Sequence, residues 1–232
     1  MHALRRNVNL KILLFNNRIY GLTKGQYSPA SELGKITKSS PMGSIDNPFN
    51  PISVALGAEA TFVARTLDSD RKHLQGVLRE AAAHQGTALI EIYQNCNIFN
   101  DGAFDVLKDA ETRDHWTIPL VHGEPLRFGD GKAVVRLPDG SLEVEENVAA
   151  DDPRVVVHDA HSTNPSYAFA LSRLQNQDSR YAPMGVFRSV ERPSYDSLMA
   201  GQLETAVATK GAGDDDALQT LLRGADTWTI GA

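Results

Sequence analysis

Asn16 and Asn17 stand together at the end of the apolar run Ile12-Leu13-Leu14-Phe15, and a polar stretch with two glycines follows them, Arg18-Ile19-Tyr20-Gly21-Leu22-Thr23-Lys24-Gly25-Gln26. Oxygen donors of this kind suit a hard cation. Mg2+ takes oxygen ligands in octahedral geometry and keeps waters or phosphate oxygens, so the Asn17 amide oxygen with the carbonyl of Ile19 is a chemically reasonable pair. Gly21 and Gly25 remove side chains where a backbone could approach a bound group. The same residues also suit an ordinary turn, because Asn and Gly dominate turns for conformational reasons. Cys96 is the one cysteine of the chain, which excludes an intramolecular disulfide and any metal site built from this chain's cysteines alone. His158 and His161 lie three apart after an apolar run, with no third ligand evident, and read as a loop network that caps the next helix. Asp214-Asp215-Asp216 follows a Gly/Ala linker and precedes Leu218, Leu221 and Leu222, so these acids read as the opening of a helix.

The elements that must position these groups alternate. Lys11–Phe15 reads as a strand, Thr61–Arg65 as a second and Thr87–Tyr93 as a third, by their β-branched and apolar content. Asn50-Pro51 is a cap with proline at the first helical position, opening a short helix that ends near Gly57. Asp68-Ser69 caps a helix carrying Leu74, Val77, Leu78 and Ala81, with Gly86 as its stop. Strand, helix, strand predicts an α/β fold with a mostly parallel sheet and right-handed crossovers. The carboxyl edge of such a sheet is where ligands bind, and both Asn17 and Cys96 fall there. Ala30–Asn47 has no period and reads as a long polar loop of the kind that often serves as a lid.

Beyond Gly102 the pattern changes. Ala133–Arg136 and Leu142–Val144 flank Leu137-Pro138-Asp139-Gly140-Ser141, a type I turn and hence a β-hairpin. Arg154–Val157 and Gly185–Phe187 read as strands. Asn164-Pro165 opens a helix that buries Ala168, Phe169, Leu171 and Leu174, Pro193 opens another, and the terminal Trp228 is expected to pack. The expected division is 1–110 as one domain and 111–232 as an α+β extension. With 41% apolar and 22% charged residues and a net charge of -6, the chain reads as globular, with no nucleic acid and no membrane among its partners. The expected location is the cytoplasm.

Asn16-Asn17 followed by Ile19 resembles the second half of the thiamine diphosphate motif. Tyr20-Gly21-Leu22-Thr23-Lys24-Gly25-Gln26 with Ser28-Pro29 resembles the β subunits of 2-oxoacid:ferredoxin oxidoreductases, and the form with Lys24 is most similar to the 2-oxoglutarate branch. The resemblance runs along the whole chain, although its motifs are specific only before about Gly102. It implies that Asn17 and Ile19 give oxygen to Mg2+, and that Gly21 and Leu22 lie against the diphosphate of thiamine diphosphate. Lys24 would pair with a substrate carboxylate, or else be a solvated loop lysine. Cys96 would be the fourth thiolate of a [4Fe-4S] cluster. The implied partners are an α subunit, ferredoxin, a 2-oxoacid and coenzyme A, in an oxidoreductase that turns the 2-oxoacid into an acyl-CoA. The motif's first half, Gly-Asp-Gly, would lie upstream of Met1. The chain is thus expected to be the carboxyl-terminal part of a β subunit, inactive on its own as a fragment; the alternatives are a truncated, non-catalytic docking subunit or a different thiamine diphosphate-dependent decarboxylase.

Overall fold

In a computed structural model, residues 1–174, 181–228 and 230–231 are described. They divide into two compact units, Met1–Ser194 and Tyr195–Ala232. The first is built on a five-stranded sheet. Its early strands are β1 (Lys11–Asn16), β2 (Phe62–Leu67) and β3 (Ala88–Tyr93), with α1 (His2–Arg6), α2 (Pro51–Gly57) and α3 (Arg71–Ala83) between and before them. Then come α4 (Asp105–Lys108), α5 (Arg113–Trp116), β4 (Thr117–Leu120), β5 (Arg127–Phe128), β6 (Lys132–Arg136), β7 (Leu142–Glu145), α6 (Pro165–Arg173) and β8 (Ala182–Ser189).

The sheet order is β1-β3-β2-β8-β4, and only the β2–β8 pair is antiparallel. Strand β3 sits between β1 and β2 in matched register, with Leu14 and Arg65 both opposite Glu91. Successive side chains of a strand face opposite sides. Val63 and Leu89 accordingly join Ile52, Leu56, Leu171 and Phe187 in one core, while Phe62, Ala64, Ile90 and Ile92 join Val77 and Ala81 of α3 in another. Both faces of β2 and β3 are covered, which is why these strands read as continuous apolar runs. Strand β1 is the margin, and Leu13 and Phe15 stay 45% and 57% exposed. Gly185 allows β4 to come close to β8: a Cβ there would stand 2.6 Å from the Leu120 carbonyl oxygen.

A second sheet, β5-β6-β7, is antiparallel and contains the expected hairpin, closed by Gly140 N–H donating to the Leu137 carbonyl at 2.9 Å. The main sheet runs across the expected boundary between residues 110 and 111, because β4 and β8 belong to it. The second unit holds α7 (Tyr195–Lys210) and α8 (Asp215–Arg223), the latter capped as expected by Asp214, whose carboxylate accepts from Ala217 N–H at 2.8 Å.

Several expectations need correction. The cap of α3 is Asp70, whose carboxylate accepts from His73 N–H, and the helix ends at Ala83, before Gly86. Arg154–Val157 forms two isolated bridges, Val155 to Val135 and Val157 to Pro125, because the short β5–β6 ribbon offers no continuous edge there. Gly185–Phe187 is the middle of the longer β8. Phe169 is 42% exposed, since it lies on the outer side of α6. Trp228 is 84% exposed, as are the neighbouring leucines of α8 in large part, because so short a unit has no second apolar layer of its own to cover them. Thr229 and Ala232 of that tail lie outside the described residues.

Candidate functional site

Because β1 and β3 are parallel and in register, Asn16 lies opposite Tyr93 and both strands end at the same edge. The two turns that leave them form the site. Asn16 keeps its amide occupied: Nδ2 donates to Glu91 Oε1 at 2.8 Å, and Oδ1 accepts from Arg18 N–H at 3.1 Å. Asn17 repeats the local bond, its Oδ1 accepting from Ile19 N–H at 3.2 Å. These two side-chain bonds turn the backbone sharply, and Arg18 sits in the left-handed region at φ 55°. The Ile19 side chain is buried at 4% exposure, which anchors the turn and leaves its backbone at the edge.

The next residues form a small closed loop. Tyr20 and Gln26 bridge, with Tyr20 N–H donating to the Gln26 carbonyl at 2.8 Å and Gly25 N–H to the Tyr20 carbonyl at 2.9 Å. Gly21, Leu22 and Lys24 all lie on the exposed outside of this loop, and Leu22 is 99% exposed. Lys24 itself takes φ 62° and Gly25 φ 100°. A Cβ on Gly25 would meet the Phe99 ring at 3.1 Å, so glycine lets this loop lie against the turn after β3.

That second turn carries Cys96, which is partly buried. Its carbonyl accepts from Asn100 N–H at 2.9 Å. Asn100 is 6% exposed and reaches back: Nδ2 donates to the Asn17 carbonyl at 3.0 Å, while Oδ1 accepts from Lys35 Nζ at 2.5 Å. Lys35 also pairs with Glu32 at 2.8 Å. Burial opposes the Glu32 charge, yet the Lys35 hydrogen bond and charge pull its carboxyl below the usual range. The loop 30–47 is thereby tied to both turns. It is less polar than expected, with Ile36, Met42 and Ile45 exposed at 70%, 95% and 89%.

Beneath the edge lies a buried ion pair. Arg65 Nε donates to Glu91 Oε2 at 2.8 Å with both side chains 1% exposed, and Tyr93 and Phe187 stack around the guanidinium. Both Glu91 oxygens are thus engaged, Oε2 by Arg65 and Oε1 by Asn16. The donors at the turn are the amide and carbonyl oxygens of Asn17 and Ile19, a set suited to Mg2+ that brings no anionic ligand of its own.

The other candidates separate from this site. His158 is 1% exposed; its Nε2–H donates to the Val186 carbonyl at 2.8 Å and the Tyr167 hydroxyl donates to Nδ1 at 3.0 Å. Burial holds the His158 imidazole below its ordinary value and pushes the Tyr167 hydroxyl up to about 12. His161 Nδ1 donates to the Ser189 carbonyl at 2.7 Å. Among the described residues no group of three His, Cys, Asp or Glu side chains could hold a metal ion. No described helix is long and apolar enough to cross a membrane. Sequence reasoning missed Asn100, Lys35 and the Arg65–Glu91 pair; a charge alternating with apolar residues inside β2 and β3 was the available signal for the pair.

Residues 1–92 match the family described as thiamine pyrophosphate enzyme, C-terminal TPP binding domain. The 2-oxoglutarate oxidoreductase subunit KorB of Mycobacterium tuberculosis is 54% identical over 231 residues, which is 99% of this chain and 61% of that protein. The 2-oxoacid:ferredoxin oxidoreductase subunit beta of Saccharolobus solfataricus is 46% identical over 97 residues, 42% of this chain and 32% of its own length. A solved 2-oxoglutarate:ferredoxin oxidoreductase from Magnetococcus marinus, with 2-oxoglutarate, coenzyme A and succinyl-CoA bound, matches with a TM-score of 0.65 at 25% identity. That match covers 96% of this chain and 61% of the other. The chain thus spans about three-fifths of the mycobacterial relative.

Proposed function

We propose that the chain is part of a 2-oxoacid:ferredoxin oxidoreductase β subunit and that it serves, assembled with an α subunit in the cytoplasm, in the oxidative decarboxylation of 2-oxoglutarate. In that reaction the bond between the carboxyl carbon and the keto carbon breaks and carbon dioxide leaves. The keto carbon becomes the carbonyl of a thioester with coenzyme A, and two electrons pass singly to two ferredoxins. Thiamine diphosphate with Mg2+, when bound, supplies the stabilisation of carbanion character that decarboxylation needs.

The chain's own residues hold and orient. Asn17 through its side-chain oxygen and Ile19 through its carbonyl would hold Mg2+, with the anionic ligand coming from another segment. Gly21 and Leu22 would lie against the diphosphate. The ammonium of Lys24 would pair with a carboxylate of the 2-oxoacid, and a dicarboxylate offers two. Cys96 would give one thiolate to a [4Fe-4S] cluster whose remaining thiolates come from outside this sequence, which has a single cysteine. Residues 1–110 would form part of the cofactor domain, and 111–232 an extension that adds β4 and β8 to the same sheet. The observation that carries this reading is the meeting of the Asn17 turn and the Cys96 turn at one sheet edge, joined through Asn100.

The test is turnover by the intact protein assembled with its α subunit. Ferredoxin reduction that requires both 2-oxoglutarate and coenzyme A and yields carbon dioxide and an acyl-CoA is the expected result. Decarboxylation that ignores coenzyme A, in a protein without iron, would show a simple decarboxylase instead.

A further inference from the structure

Asn100 lies outside every strand and helix and forms only an isolated bridge with Cys96, yet it is among the most buried polar side chains at the carboxyl edge. We infer that it is a positioning residue, which sets the Asn17 turn against the Cys96 turn and so holds the metal-binding backbone in the geometry the diphosphate needs. This inference rests on the reading of the Asn17 turn as a cofactor site.

A primary amide has two N–H donors and one oxygen acceptor, and here each kind has a different client. Nδ2 donates to the Asn17 carbonyl at 3.0 Å, one residue before the left-handed Arg18 and two before Ile19. That bond fixes the peptide plane between Asn17 and Arg18. The Asn17 side chain leaves the same α-carbon, so its oxygen and the Ile19 carbonyl are set together. Oδ1 accepts from Lys35 Nζ at 2.5 Å, which orients the amide so that its nitrogen, not its oxygen, faces Asn17. The Asn100 backbone N–H on the Cys96 carbonyl completes the link. A side chain of the same size without the donor could not do this: an aspartate in this place keeps its bond to Lys35 but turns an oxygen toward the Asn17 carbonyl.

The experiment is Mg2+-dependent thiamine diphosphate affinity, read by calorimetry on the intact assembled protein stripped of its cofactor, for wild type, Asn17→Ala and Asn100→Asp. Unfolding midpoints in urea are recorded beside it, because a merely structural residue would move the midpoint and not the affinity of the folded protein. The expected result is a loss of at least tenfold in affinity for Asn100→Asp, with its midpoint close to wild type, and a larger loss for Asn17→Ala. If the aspartate variant does not fold, Asn100→Ser, whose hydroxyl is too short to reach Asn17, is expected to show the same loss. Wild-type affinity in a folded Asn100 variant, with loss in Asn17→Ala, overturns the positioning role alone. Wild-type affinity in Asn17→Ala overturns the cofactor reading and this inference with it.

Discussion

Two buried asparagines close the two ends of the same sheet, and they hold different things. At the amino end Asn7 is 1% exposed in a left-handed conformation at φ 54°. Its Oδ1 accepts from the Thr61 hydroxyl at 2.6 Å and from Thr87 N–H at 3.0 Å, and its Nδ2 donates to the Arg192 and Pro193 carbonyls at 2.9 and 3.3 Å. Gly86 makes room for it, since a Cβ there would come within 2.2 Å of Oδ1. All of these clients are the starts of strands and the chain after β8. At the carboxyl end Asn100 holds the Asn17 carbonyl, Lys35 and the Cys96 turn instead. Residue type and burial are nearly the same at both ends. What separates a structural latch from a functional one is the list of groups it holds.

The largest effect that can sharpen this contrast lies between the two ends. Arg65→Met leaves Glu91 charged and unpaired in the core, and is expected to cost about 4 kcal/mol of stability, read as a fall in the urea midpoint. Because Glu91 also holds Asn16, this variant should disturb the carboxyl edge as well. Asn7→Ala strips the partner from the Thr87 N–H and from two carbonyls, and should cost about 3 kcal/mol. Its folded fraction should bind thiamine diphosphate with wild-type affinity, and a matching loss of affinity would break the distinction. Asn100→Asp is expected to cost only about 1 kcal/mol, one hydrogen bond's worth, because Lys35 still faces the new carboxylate.

The smallest effect is one of pH. His84 Nε2–H donates to the Thr61 hydroxyl at 2.8 Å, and burial, followed by the charge of Lys11, holds its imidazole below the ordinary value. The unfolded chain takes up the proton at about pH 6.5, whereas the folded chain resists it, so the unfolded state binds more protons below that point. Stability therefore falls as pH drops through about 6.5, with His73 and His158 adding in the same direction because burial lowers them too. Hydrogen exchange of the Thr87 amide, measured at neutral pH and at about pH 5.5, should show earlier opening of the amino end in acid. Equal acid sensitivity at the Asn100 amide would remove this difference between the ends.

Much of the carboxyl edge was legible because its signals are local. The apolar run into Asn16-Asn17, the glycines at 21 and 25, and the strand that delivers Cys96 all sit within short stretches, and the turn conformations at Arg18, Lys24 and Gly25 follow from residues beside them. The latches were not legible for the opposite reason. Asn100 meets Asn17, and Asn7 meets Thr87, from the far side of the intervening helices, and nothing in an isolated Asn says which carbonyl it will find. Arg65 and Glu91 look in sequence like surface residues of half-exposed strands; only the coverage of both faces of β2 and β3 buries them. Trp228 went astray on the same ground, since an apolar residue predicts burial only where a second layer exists to bury it.

The most direct measurement is cofactor content, thiamine diphosphate and iron together, of the intact assembled protein and of Asn17→Ala and Cys96→Ser. Wild type is expected to carry both, Asn17→Ala to lose thiamine diphosphate and keep its iron, and Cys96→Ser to lose iron. A Cys96→Ser protein with the full wild-type iron content, or an Asn17→Ala protein with full thiamine diphosphate, would contradict the claim that the two turns at this edge are where the cofactors are held.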